Sequence, residues 1–431
     1  MTAEKPSPLV PKLRFPEFRE DPTWVAPQLG ELYAFKRTNN LSRDKLNYTT
    51  GTIRNIHYGD IHTKFKPLFR VGNERVPFVS PDALANGFDD GALCEEGDIV
   101  LADASEDIDD VGKAIEVVSL DGERVVAGTH TILATRRGRL PIVGFGGQLF
   151  QSPAVRAGIK KEAQGAKVYG ISANRISAVL VPVPPTPAEQ QKIVDCLGSL
   201  DDLIAAEGRK LEALRLHKKG LKQQLFPQHG ETVPRLRFPE FRNKGEWEER
   251  KAGSLFANRV SKGEEGMPIY SVTMHDGMVR RDSLDRNYDD IEEAAGNKKA
   301  CKNDIAYNMM RMWQGALGVA PEDCLVSPAY IVLAPKKHVV SRFFEYLFKL
   351  PASMLLLTSY SHGLTKDRLR LYYDDFARIP LRCPSEPEQQ RIADCLFSLD
   401  ARISAQTERL DALCLHKQGL LQQIFPSIEG E

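Results

Sequence analysis

The chain has 431 residues, and 58 basic side chains balance 58 acidic ones, so its formal net charge is zero. Hydrophobic residues make up 42% and charged residues 27%, which is ordinary for a globular protein and excludes disorder driven by composition. The seven scattered cysteines with no Cys-x-x-Cys pair, the lack of any run of about 18 apolar residues, and a start (Met1 to Pro6) with no apolar signal region predict a cytoplasmic protein without disulfides, zinc site or membrane span.

In chain order, the first feature is the entry segment Pro11-Lys12-Leu13-Arg14-Phe15-Pro16-Glu17-Phe18, followed by Trp24 and Gly30. Residues 81–123 are acidic, with a lone Lys113. Within them Gly97-Asp98-Ile99-Val100-Leu101-Ala102 predicts a turn leading into a strand, as does the β-rich run Thr131-Ile132-Leu133-Ala134. The acidic run Glu106-Asp107-Ile108-Asp109-Asp110 reads as a solvated loop rather than a metal site. Residues 124–187 are basic, with a lone Glu162. Their Arg136, Arg137, Arg139, Lys160, Lys161 and Arg175 are candidates for a phosphate-binding face that the zero net charge conceals. Gly144-Phe145-Gly146-Gly147 resembles a nucleotide loop only superficially and reads as a turn.

A long helix follows. Ile193, Leu197, Leu200, Ile204, Glu207, Leu211, Leu214, Lys218, Leu221 and Leu225 keep a 4-3 spacing, the seam of a coiled coil. Beyond it the entry segment returns as Pro234-Arg235-Leu236-Arg237-Phe238-Pro239-Glu240-Phe241, with Trp247 and Gly253. Arg280 and Arg281 are further cationic candidates. Asn303-Asp304-Ile305-Ala306-Tyr307 and Tyr330-Ile331-Val332-Leu333 predict strands, and residues 341–357 predict one helix. Two stretches suit DNA. Met309-Met310-Arg311-Met312-Trp313-Gln314-Gly315 is either a strand with a buried Met/Trp face or a stretch that puts Arg311 and Gln314, with Trp313, at a DNA groove, where Arg pairs with guanine and Gln with adenine. His362-Gly363-Leu364-Thr365-Lys366-Asp367-Arg368-Leu369-Arg370 is either solvated or a phosphate-contacting loop carrying His362, Lys366 and Arg368. The chain closes on a second seam: Ile392, Leu396, Leu399, Ile403, Gln406, Leu410, Leu413, Lys417, Leu420 and Ile424.

The chain therefore contains itself twice. Glu189-Gln190-Gln191-Lys192-Ile193 returns as Glu388-Gln389-Gln390-Arg391-Ile392, and Leu225-Phe226-Pro227 as Ile424-Phe425-Pro426. The middles have diverged far more than the ends. Each helix runs about 36 residues, roughly 54 Å at ~1.5 Å per residue. A parallel pair would force the second globular part to return that distance before its helix began, so the helices are expected to run antiparallel. Each entry segment is expected to pack at an end of the pair, the first against the second helix and the second against the first.

No P-loop, His-Glu-x-x-His or Gly-x-Ser-x-Gly motif is present, so no catalytic residue, metal or cofactor is assigned to this chain. The duplicated Glu-Gln-Gln-x-Ile-x-x-Cys-Leu-x-Ser-Leu-Asp openings, each after a Pro-rich strand end (Val183-Pro184-Pro185; Arg382-Cys383-Pro384), and the Leu-Arg-Phe-Pro-Glu-Phe segments resemble the specificity subunits of type I restriction–modification enzymes. The resemblance implies an α+β fold with an internal pseudo-two-fold repeat. Two mixed α/β target-recognition domains (1–187 and 229–386) would be joined by two spacer helices (188–228 and 387–431) forming an antiparallel coiled coil. It implies double-stranded DNA as ligand, each domain reading half of a bipartite, asymmetric site. It places S-adenosylmethionine, ATP and Mg on partner subunits: two adenine methyltransferases, and restriction/translocase subunits. The rival expectation is a tandem-domain DNA-binding transcriptional regulator with a coiled-coil spacer.

Overall fold

The computed structural model describes residues 9–84, 92–228, 230–283, 296–365 and 368–428. The chain divides into two compact units, residues 1–208 with 408–431, and residues 209–407. The fold is α+β, and two 39-residue helices, Pro187–Leu225 and Glu386–Ile424, each give one half to either unit.

In the first unit a five-stranded sheet runs in the order Tyr33–Lys36, Thr131–Arg136, Ile99–Ala102, Ala114–Ser119, Leu68–Arg70. All its pairs are antiparallel except the last. A second sheet of four short strands includes Ile53–Ile56 and Arg124–Ala127. In the second unit one four-stranded antiparallel sheet runs Phe256–Asn258, Tyr330–Pro335, Ile305–Asn308, Leu317–Val319. Another is built around Ile269–Val272 and Cys324–Val326. The run Ile99–Ala102 is buried at every position, as is Ile305 to Tyr307, so these central strands read as apolar runs rather than as alternation. Residues 341–357 are two helices rather than one, Ser341–Phe348 and Pro351–Ser359. Pro351 cannot continue the first ladder but fits the first turn of the second.

Charged contacts give the helix direction inside each unit. In the first, Lys417 Nζ lies 2.6 Å from Asp201 Oδ1 and Arg409 Nη2 lies 2.9 Å from Glu207 Oε1. Ile193 and Leu197 share a core with Leu420, Leu421 and Ile424. In the second, Lys218 pairs with Asp400, and Leu221, Leu225 and Phe226 pack with Ile392, Ala393 and Leu396. Residue numbers fall along one helix as they rise along the other, so within each unit the halves are antiparallel. Ile193, Leu197, Leu211, Ile392, Leu396 and Leu399 are buried; Leu200, Ile204, Leu214, Leu221, Ile403, Leu410, Leu413 and Leu420 are half-buried. The polar seam residues Glu207, Gln406 and Lys417 are buried too.

The repeated ends form the same clasp twice. Glu189, buried, accepts from Arg14 Nε and Nη2 at 2.8 Å each and from Trp24 Nε1 at 3.0 Å. Glu388, also buried, accepts from Arg237 Nε and Nη2 at 2.7 Å each and from Trp247 Nε1 at 3.4 Å. The next residue bridges as well: Gln190 accepts from Ile142 N and donates to Pro184 O, while Gln389 accepts from Val340 N and donates to Pro384 O. Each Arg-Phe-Pro entry segment is thereby pinned to the start of a long helix. Each also reaches the end of the other long helix, Leu13 N donating to Gln423 O and Leu236 N to Gln224 O.

Gly144 to Gly147 is a capping site rather than a plain turn. Gly144 adopts φ 93° and the short helix Phe145–Leu149 begins there, with Gly144 N and Gly147 N donating to the buried Glu116 carboxylate. Burial pushes that carboxyl up to about 7 from its ordinary 4.5, against the pull of the two N–H donors. An acid with a raised folded pKa adds stability that is complete below 4.5 and disappears as the pH rises through about 7. Relative to Glu116→Gln, wild-type stability should therefore fall on the order of 3 kcal/mol between pH 4.5 and pH 8. Urea unfolding at the two pH values checks this; parallel losses in both proteins would contradict it.

Candidate nucleic-acid interface

In both units the strand that opens with Asp98-Ile99 or Asp304-Ile305 runs out into a loop, and a second loop closes against it. In the first unit Ile171 N donates to Asp103 O at 2.9 Å; in the second Leu371 N donates to Met309 O at 3.0 Å. The closing loop is itself cinched by a backbone pair, Gln164 with Gly170 and His362 with Arg370. Its second residue is glycine in both. A Cβ on Gly165 would meet Val168 O at 1.9 Å and one on Gly363 would meet Arg368 O at 2.5 Å, so no other residue fits without moving the loop.

Each loop pair frames a hollow. The one in the second unit holds about 500 Å³ and is lined by Met310, Gly363, Leu364, Arg368 and Arg370. The one in the first holds about 460 Å³, and its lining includes Asp103, His130, Gln164, Ser172 and Arg175. The same backbone thus carries different chemistry. The second unit presents arginines with an apolar tip, Leu364 being 97% exposed. The first presents a carboxylate, an imidazole and one arginine. Burial raises the Asp103 carboxyl above its ordinary range, and His130, 3.3 Å away, opposes that shift.

The candidate residues separate accordingly. Arg311, Gln314, His362 and Arg368 are exposed; Arg368 lines the second hollow, and Arg311 and His362 are the sequence neighbours of its lining residues Met310 and Gly363. His362 Nε2 lies 3.0 Å from Asp375. The segment 309–315 is not a strand: Asn308 Oδ1 accepts from Met310 N, and a short 3-10 helix Met312–Gln314 ends at Gly315 with φ 85°. Met312 is buried; Trp313 is half-buried and donates to Met310 O. Lys366 lies outside the described residues. Arg280, exposed, pairs with Asp282, and Arg281 is half-buried. In the first unit Arg175 lines the hollow and pairs with Glu162. Arg136 donates to Pro141 O, Arg137 to Gly30 O and Tyr33 O, and Lys160 pairs with Asp109. Those three side chains hold structure. Arg139 and Lys161 are exposed.

Apart from Arg175, the residues around the first hollow are not among those the sequence motifs single out. Tyr58 lies against His57 at 4.7 Å with the ring planes tilted by 32°, and meets His62 and His130 edge-on at 6.2 and 5.3 Å. The only signal in the sequence was the density of ring side chains in Ile56-His57-Tyr58-Gly59-Asp60-Ile61-His62. Among the described residues no cluster of His, Cys, Asp and Glu could hold a metal, and no helix is long and apolar enough to cross a membrane.

Residues 244–413 match the family model of the type I restriction modification DNA specificity domain. The matched stretch takes in the second hollow and the opening of the second long helix. Over almost its full length the chain shares the fold of the type I restriction–modification system S subunit from M. genitalium: TM-score 0.58, 14% identity, 97% of this chain and 100% of that one. It also shares the fold of a chain from a study of complex assembly and conformational transition of the type I R-M system: TM-score 0.54, 16% identity, 94% and 98% covered. No curated protein sequence matches the chain.

Proposed function

We propose that the chain is the non-catalytic specificity subunit of a type I restriction–modification complex, with residues 1–187 and 229–386 each reading one half of a bipartite, asymmetric DNA site. The observation that carries this is the pair of equivalent hollows with unlike linings. One backbone presented twice suits one mode of approach to the duplex, and unlike side chains suit two different half-sequences. The partners in this reading are two adenine methyltransferase subunits together with restriction and translocase subunits, all cytoplasmic. They would supply S-adenosylmethionine, ATP and Mg. Two equivalent exposed leucines on the long helices, Leu216 and Leu415 at 66% and 69% exposure, offer one docking point in each unit and support a count of two. The purified chain alone should neither methylate nor cut DNA.

Arginines test the assignment of the second hollow. Arg368→Ala should weaken binding to every sequence alike and lower the salt dependence of log K by about one unit of slope, as for a lost phosphate contact. Arg311→Ala should cost about 1–3 kcal/mol of preference at one base pair. Both are read by titrating duplexes with the subunit in its methyltransferase complex. Unchanged affinity, salt slope and preference in both variants would place the DNA on another face.

A further inference from the structure

The lining of the first hollow contains His130, at a backbone position that does not itself require an imidazole. His130 sits at φ 54°, a left-handed conformation that costs a non-glycine residue about 1 kcal/mol. The backbone there needs only its carbonyl, which accepts from Asp103 N at 3.1 Å. Glycine would serve that geometry without strain, yet an imidazole is present and its side chain is 61% exposed. The ring is nonetheless fixed. Its Nδ1 lies 3.3 Å from Asp103 Oδ1, and it stands edge-on to Tyr58 at 5.3 Å, 73° between planes. Tyr58 is wedged in turn between His57 and His62, and His62 Nε2 lies 3.2 Å from Ala104 O. A strained, exposed ring held from two sides is a side chain set out to meet something.

We propose that His130, oriented by Asp103 and Tyr58, reads one base pair of the half-site recognised by the first unit. This rests on the reading of that unit as a DNA reader. With Nδ1 turned to the Asp103 carboxylate at 3.3 Å, Nε2 is the ring nitrogen left to face a base as an acceptor. In the major groove the matching donors are the amino groups of adenine N6 and cytosine N4. His130 is therefore the contacting residue and Asp103 a positioning residue, while Arg175 on the same hollow supplies charge for the adjacent phosphate. The lining of the second hollow, Met310, Gly363, Leu364, Arg368 and Arg370, holds no imidazole, so that unit would read its base by another contact.

The test uses the full chain with its methyltransferase subunits. The methylated motif is mapped for wild type, His130→Gly, His130→Asn and Asp103→Ala. His130→Gly suits the backbone and should melt no lower than wild type. One adenine or cytosine position, in the half-site that survives replacement of the second unit, should become degenerate, its preference dropping about tenfold. His130→Asn, which keeps an acceptor and tolerates the same φ, should retain part of the preference. Asp103→Ala should blur the same position and no other. Competition binding with a duplex lacking that single amino group should penalise wild type and leave His130→Gly indifferent. An unchanged motif in a folded His130→Gly, or an equal loss for all sequences, would overturn the proposal. Failure of the wild-type complex to methylate any bipartite site would instead overturn the reading on which it rests.

Discussion

Glu388→Ala should cost the second unit about 3–5 kcal/mol, the usual effect of stripping one partner from a buried ion pair. The guanidinium of Arg237 is then left under cover with only the Gly245 carbonyl, which Nη1 reaches at 2.6 Å, and Trp247 Nε1 loses its acceptor. The loss would come from stranded groups rather than from the attraction itself, so a double variant, Glu388→Ala with Arg237→Met, should recover much of it. Arg237→Lys should not substitute well, because both carboxylate oxygens are engaged by the guanidinium fork. Glu189→Ala should do the same to the first unit through Arg14 and Trp24. Urea midpoints measure each effect, and a loss below about 1 kcal/mol in Glu388→Ala would show that the clasp does not hold the entry segment.

If each unit reads one half of a split site, replacing residues 247–384 with the corresponding part of a type I specificity subunit should change one half of the methylated sequence completely and leave the other half untouched. The exchanged segment carries the whole second hollow, from Met310 to Arg370, and none of the first. It stops short of Glu388 and leaves Arg237 in place, so the ion pair of the clasp survives. The exchange also spares both seams. Mapping of methylated adenines reads the outcome; a change in both halves would mean that the units do not read independently.

Much of this architecture is legible in the sequence because it is written twice. The seams follow from spacing alone. The repeated Arg, Trp and Glu mark what must stay constant, though not that they meet, since a contact between Arg14 and Glu189 spans most of a unit. The site is less legible. A run of cations says nothing about where each side chain goes: Arg136 and Arg137 read as a DNA face and are spent on backbone carbonyls, whereas Arg175 does reach a hollow. Pro351 was visible, and its break in the 341–357 helix follows from it. Residues 309–315 have the composition of a strand, but the Asn308 side chain and the positive φ of Gly315 turn the chain into a loop. The His130 site is invisible along the sequence, because Tyr58, Asp103 and His130 converge only through the packing of separate segments.

In the proposed function two unlike readers in one chain define one split site, and single-molecule mapping of methylated adenines tests this in cells that express this chain with methyltransferase subunits and no further type I specificity subunit. The expected result is one motif made of two different short sequences separated by a gap of fixed length, with methylation absent when this chain is omitted. A single uninterrupted motif, a pair of identical halves, or methylation that persists without the chain would contradict it.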